Sequence, residues 1–129
     1  MRTPGTRSLT RALDALVMLG DMSNLLPECS HLDSITVTEL PATSDGCEDC
    51  LREGGAWLHL RICLQCGHVG CCDDSPGQHA SRHAAATNHA LIRSLEPAEE
   101  WSWCFVDEVA MIIPEVTGST RIPPSPMLS

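Results

Sequence analysis

The sequence predicts an α+β domain: short antiparallel strands packed with one main helix, and metal in place of a large apolar core. Three observations carry the prediction. Among 129 residues only Trp57, Trp101, Trp103 and Phe105 are aromatic and none is tyrosine, so the side chains that bury most area are scarce. Eight cysteines and six histidines are spread through the same chain, many of them in pairs whose short gaps let one turn aim two donors at one ion. The apolar pattern alternates by twos in some stretches and follows a helical period in another.

The elements follow in order. Residues 1–26 place Leu13, Leu16 and Val17 at the spacing of a short helix ended by Gly20, and carry no chemistry; they are expected to be a disordered extension. Residues 27–113 form the domain. Within it, residues 57–63 (WLHLRIC) alternate apolar with polar and predict a strand, and 90–93 and 101–106 are weaker strand candidates. Residues 78–87 are rich in alanine, with His79 and His83 four apart, and predict the helix. Residues 114–129 contain four prolines with Gly118 and several serines and threonines, the composition of a disordered tail. No internal repeat is present.

Charge narrows the functions. The formal net charge is -9, and the basic residues are all arginines scattered singly among carboxylates. Nucleic acid is bound by clustered cations, so it is excluded as a partner. No run approaches the ~20 apolar residues of a membrane span. Arg2, Arg7 and Arg11 precede an apolar stretch at 12–19, but Asp14 interrupts it and no small-x-small cleavage site follows. The chain reads as a soluble, acidic, cytoplasmic protein, a compartment that keeps thiols reduced and available to metals.

The candidate ligands run Cys29-x-His31, Cys47-x-x-Cys50, Cys63-x-x-Cys66, Cys71 beside Cys72, His79-x-x-x-His83, His89 and Cys104-x-x-Asp107. Sulfur, imidazole nitrogen and carboxylate oxygen in short pairs are the donors of tetrahedral zinc. Spacing leaves the partnering open: Cys47/Cys50 with Cys63/Cys66 makes an acceptable four-cysteine ribbon, with Cys71 left to the histidines. The run CLQCGHVGC (63–71), then HASRH (79–83), His89 and WCFVD (103–107) resembles the UBP-type zinc finger of some deubiquitinases and of a class of deacetylases, over residues 28–108. In the three-zinc members of that family the pairs interleave. The resemblance thus implies a first site of Cys29, His31, Cys104 and Asp107, a second of Cys47, Cys50, Cys71 and His79, and a third of Cys63, Cys66, His83 and His89. Three Zn²⁺ are expected, two at minimum, because Asp107 stands where the family usually has a cysteine. Cys72, His59 and His68 fall outside the pattern and are expected to be bystanders.

The resemblance also implies a binding surface. The family often captures the free C-terminus of ubiquitin between aromatic walls, with an arginine on the carboxylate. Trp103 matches one wall, Phe105 a second aromatic position, and Trp57 lies near a third. The family's C-G-R-Y stretch reads Cys71-Cys72-Asp73-Asp74 here. Carboxylates in place of the arginine repel a peptide C-terminus and argue against ubiquitin. The expected function is a structural zinc module that binds a protein or peptide, favouring a cationic or neutral segment, without catalysis. One alternative is a hydrolase with an open metal position at Asp107, although a thiolate-rich site is a poor Lewis acid. Another is dithiol chemistry at either C-x-x-C pair, although no βαβ unit surrounds them.

Overall fold

A computed structural model of the chain describes residues 29–128, so the extension expected at 1–26 lies outside the described residues. After a short 3-10 turn at Leu32–Ser34 come helix α1 (Glu48–Glu53), strands β1 (Leu60–Cys63) and β2 (Val69–Cys71), helix α2 (His79–Thr87), and strands β3 (Leu91–Ser94), β4 (Trp101–Cys104) and β5 (Val109–Ile112). The strands form one five-stranded sheet in the order β2-β1-β3-β4-β5, every neighbour antiparallel. Helix α2 and strands β1, β3 and β4 lie within or close to the stretches whose periodicity predicts them. Strands β2 and β5 and helix α1 are additions.

Helix α1 has clear local causes. Cys47 caps its start by accepting from the Cys50 N–H, Glu48 and Asp49 fill its first turn, Arg52 its last, and Gly54 ends it in the left-handed region at φ 78°. It starts inside a cysteine knuckle and lasts only six residues, too short to show a helical period.

Register decides which side chains share a face, because directly paired residues point the same way. Ile62 opposes Arg93, which opposes Ser102, which opposes Met111; Leu91 opposes Cys104 on the same side. This face joins Leu40, Ile113 and Val116 in the core. The other face carries Arg61, Ile92, Trp101 and Trp103. Helix α2 covers its β1–β2 end, where Gly70 admits the helix backbone: a Cβ there would stand 2.8 Å from the Ala80 nitrogen. At the β4–β5 end, Trp101 and Trp103 are half-buried and Ile112 is 62% exposed.

Two expectations are corrected. Residues 114–128 do not form a disordered tail. Val116 is buried in the core, and the segment runs parallel to residues 38–44 through bridges Glu39↔Thr117 and Thr43↔Arg121. The Thr120 hydroxyl donates to the Pro41 carbonyl and the Ser125 hydroxyl to the Trp57 carbonyl, both at 2.8 Å. The prolines at 114, 123, 124 and 126 fall outside the bridging positions, so no bridge loses an N–H donor. Trp57, in turn, is no pocket wall. Its ring is buried in the core against Gly46, where a Cβ would collide with the indole.

Candidate metal centres

Three quartets of donors converge, each with all four atoms within 4.8 Å of one another: Cys47, Cys50, Cys71 and His79; Cys63, Cys66, His83 and His89; Cys29, His31, Cys104 and Asp107. The ribbon joining Cys47/Cys50 to Cys63/Cys66 does not form.

The second quartet is wholly buried. Helix α1 supplies Cys50 and its cap Cys47, β2 ends in Cys71, and α2 begins with His79. Gly77 clears the way for that ring, since a Cβ there would run into it. The Sγ atoms of Cys47, Cys50 and Cys71 lie 3.3, 3.4 and 3.4 Å from one nitrogen, His79 Nδ1. A single lone pair cannot accept three hydrogen bonds, but four donors around one cation sit this way. Tetrahedral zinc with sulfur at about 2.3 Å and nitrogen at about 2.0 Å places S···N at about 3.5 Å and S···S at about 3.8 Å. Cys50 Sγ to Cys71 Sγ is 3.9 Å. The amides of Cys50 and His79 point at the Cys47 and Cys71 sulfurs from 3.4 and 3.3 Å, the support a thiolate needs. His79 Nε2 is buried without a hydrogen bond, with Glu53 Oε1 3.4 Å away.

The third quartet joins the β1–β2 hairpin to α2. Gly67, at φ 84°, turns the chain after Cys66. Cys66 Sγ lies 3.2 Å from His83 Nε2, and Cys63 Sγ 3.5 Å from His89 Nδ1. His83 and His79 are one turn apart on α2, so a single helix serves two quartets. His89 reaches back after Asn88 ends the helix at φ 62°. Burial, then the adjacent His68 and His89, keep His83 below the usual imidazole range, favouring the neutral ring a metal requires.

The first quartet ties the start of the described chain to the end of β4. His31 Nδ1 lies 3.4 Å from Cys104 Sγ and 3.3 Å from Asp107 Oδ2, against about 3.3 Å for nitrogen and oxygen on a tetrahedral zinc. Asp107 therefore occupies the fourth corner, its Oδ2 also accepting the Ser30 N–H at 2.9 Å. That hydrogen bond, ahead of the His31 charge, holds its carboxyl below the usual carboxylate range. Burial pushes the Cys29 thiol up to about 12, and raises Cys47 and Cys63 as well. Without a metal these thiols stay protonated at neutral pH, so the donors fit an ion that displaces protons.

The surface residues scatter more than the metal donors. Trp103 and Phe105 are half-buried on and just after β4. Asp73 and Asp74 follow β2, which β1 and β3 separate from β4, a span of about 14 Å at sheet spacing. Asp73 accepts the Ser81 hydroxyl beside the start of α2. Beside the tryptophans stands Arg61 instead, its guanidinium 4.6 Å from the Trp101 ring centroid, donating to the Leu60 carbonyl at 3.0 Å and the Ser94 hydroxyl at 3.4 Å, with Glu99 Oε1 at 4.0 Å. Its place in an alternating strand, two residues before Cys63, was the signal available for it. Cys72 stays outside the quartets, 3.5 Å from Ser75 Oγ.

Such a sheet, cross-braced by interleaved Cys/His clusters, defines a small zinc-stabilised α+β module. A family model described as "Zn-finger in ubiquitin-hydrolases and other protein" matches residues 47–115, more than half of the chain. The chain belongs to this UBP-type zinc-finger family. It is 38% identical over 65 residues to ubiquitin carboxyl-terminal hydrolase 16 of Rattus norvegicus and 39% over 62 residues to that of Mus musculus, covering 47% and 45% of this chain. The match spans only 7% of either relative's length. The solution NMR structure of protein RPA1320 from Rhodopseudomonas palustris matches at a TM-score of 0.62 with 46% identity, over 78% of this chain and 95% of that one.

Proposed function

We propose that this zinc module binds an extended protein segment across the open β4–β5 face, over Trp103 and Phe105, and catalyses nothing itself. The observation that carries the reading is the half-buried pair Trp101 and Trp103 on a sheet face that α2 leaves uncovered, with Ile112 exposed beside them. Flat rings at a partly apolar surface are the usual anchors of peptide recognition. The twelve residues of the three quartets are the proposed zinc ligands. With Asp107 at the fourth corner of the first quartet, the open coordination position that hydrolysis needs is taken up by the protein. A cytoplasmic location accords with eight cysteines none of which is in a disulfide.

Net acidity favours a neutral or cationic segment, and Arg61 already has Glu99 as its neighbour. One observation favours a second reading: an arginine stacked on Trp101 could instead receive a terminal carboxylate, as relatives named for ubiquitin C-termini suggest. Tryptophan fluorescence titration with one Gly-Gly-ending peptide, as free acid and as C-terminal amide, separates the two. The first reading expects the amide to bind equally or more tightly, and Trp103→Ala to weaken binding about tenfold or more. A free acid that alone binds, and loses affinity in Arg61→Ala, establishes the second. Unchanged affinity of every peptide for Trp103→Ala sinks both.

A further inference from the structure

The two residues inside the Cys47-x-x-Cys50 knuckle, Glu48 and Asp49, reach the start of β2 and the loop just before it, which follows the Cys63-x-x-Cys66 knuckle. Glu48 Oε2 accepts the Val69 N–H at 3.0 Å, and Asp49 Oδ2 pairs with His68 Nε2 at 2.7 Å. The His68 ring then lies flat on His83, with centroids 4.2 Å apart and planes 8° from parallel. His83 Nε2 faces Cys66 Sγ at 3.2 Å. A continuous line of contacts runs from the sulfurs of one quartet to an imidazole of the next, separate from the route through α2.

We infer that Asp49 and His68 are positioning residues that couple the second and third zinc sites, so that filling one raises the affinity of the other. With Cys47 and Cys50 drawn together, the first turn of α1 is fixed and so is the Asp49 carboxylate. Asp49 orients the His68 ring. The stacked His68 confines His83 to the plane in which its Nε2 meets Cys66, so the third site loses less freedom when it fills. In the reverse direction a fixed His83 holds His68, and through Asp49 the knuckle of the second site, as reciprocity of coupling requires. His68 is thereby more than a bystander, although it donates to neither quartet.

The three donor sets differ: three sulfurs with one nitrogen in the second quartet, two with two in the third, and two sulfurs with nitrogen and oxygen in the first. Cadmium NMR of the fully cadmium-substituted chain should therefore give three separate resonances, and stepwise withdrawal of metal by a chelator follows each. The second and third resonances are expected to fade together in the native chain. In Asp49→Ala and in His68→Ala they should separate, with about a fivefold or greater difference in the chelator concentration that halves each. Independent fading in the native chain overturns the coupling, and joint fading in both alanine variants assigns it to α2 alone and overturns the role of these two residues. Should the alanine variants hold no metal, His68→Phe decides, because it keeps a flat ring over His83 without the Asp49 bond: separation supports the inference and joint fading rejects it. Fewer than three resonances in the native chain would overturn the ligand assignment instead.

Discussion

Asp107 brings oxygen to a quartet otherwise built from sulfur and nitrogen. The Ser30 amide, ahead of His31, holds its carboxyl below the usual carboxylate range, so a negative donor is on hand at neutral pH. Asp107→Ala should reduce the zinc count by one in native mass spectrometry while the other two ions remain, and Asp107→Cys should restore three with a tighter first site. An unchanged count in Asp107→Ala would remove the residue from the ligand set. At this scale the metal donors were the legible part of the sequence, because ligand spacing is local and the interleaving came with the family resemblance. Of the proposed binding face, only Trp103 and Phe105 were legible. Whether Trp57 or Arg61 stands beside the other tryptophans depends on where a strand begins, and β1 begins at Leu60, leaving Trp57 to turn inward over Gly46.

The strands beyond the predicted ones are set by the neighbour each folds back on, and only weakly by a pattern of their own. Strand β2 is three residues long and fixed by pairing with β1, and β5 exists because β4 offers it a partner; neither has enough residues for alternation to stand out. The segment at 114–128 deceived for another reason. Proline-rich composition describes what a chain cannot do alone, and here residues 38–44 supply the partner. Deleting residues 114–129 should expose the neighbours of Val116 and cost the burial of that side chain, about 1.5–3 kcal/mol. A thermal melt is then expected to fall by about 6 °C or more. A truncated chain that melts with the full one would return this segment to the status of an appendage.

For the whole molecule, metal substitutes for core volume. Structural zinc contributes about 10–16 kcal/mol per ion in small finger peptides at neutral pH, comparable with the entire stability of an ordinary domain. The α+β class was legible from periodicity, whereas the sheet order was not, since β1 lies beside β3 through pairing across the intervening β2 and α2. Acid should dismantle the assembly in a definite sense. Burial raises the thiols of Cys29, to about 12, and of Cys47, Cys50 and Cys63, so protons compete with zinc throughout the neutral range and affinity falls as pH falls. The second quartet exchanges three thiols and the third two. Zinc affinity read with a competing chelator across pH should thus fall by about three decades per pH unit at the former and about two at the latter while the thiols remain protonated. Equal slopes would mean that one of the second quartet's cysteines is not a ligand.

The parallel bridges Glu39↔Thr117 and Thr43↔Arg121 give the fold a mechanical character as well. Tension applied to the two ends of the described chain would pull these parallel segments past each other, loading their hydrogen bonds in shear, all at once, instead of peeling them one by one. The first quartet would share that load, passing its part from Cys29 and His31 through Cys104 into β4.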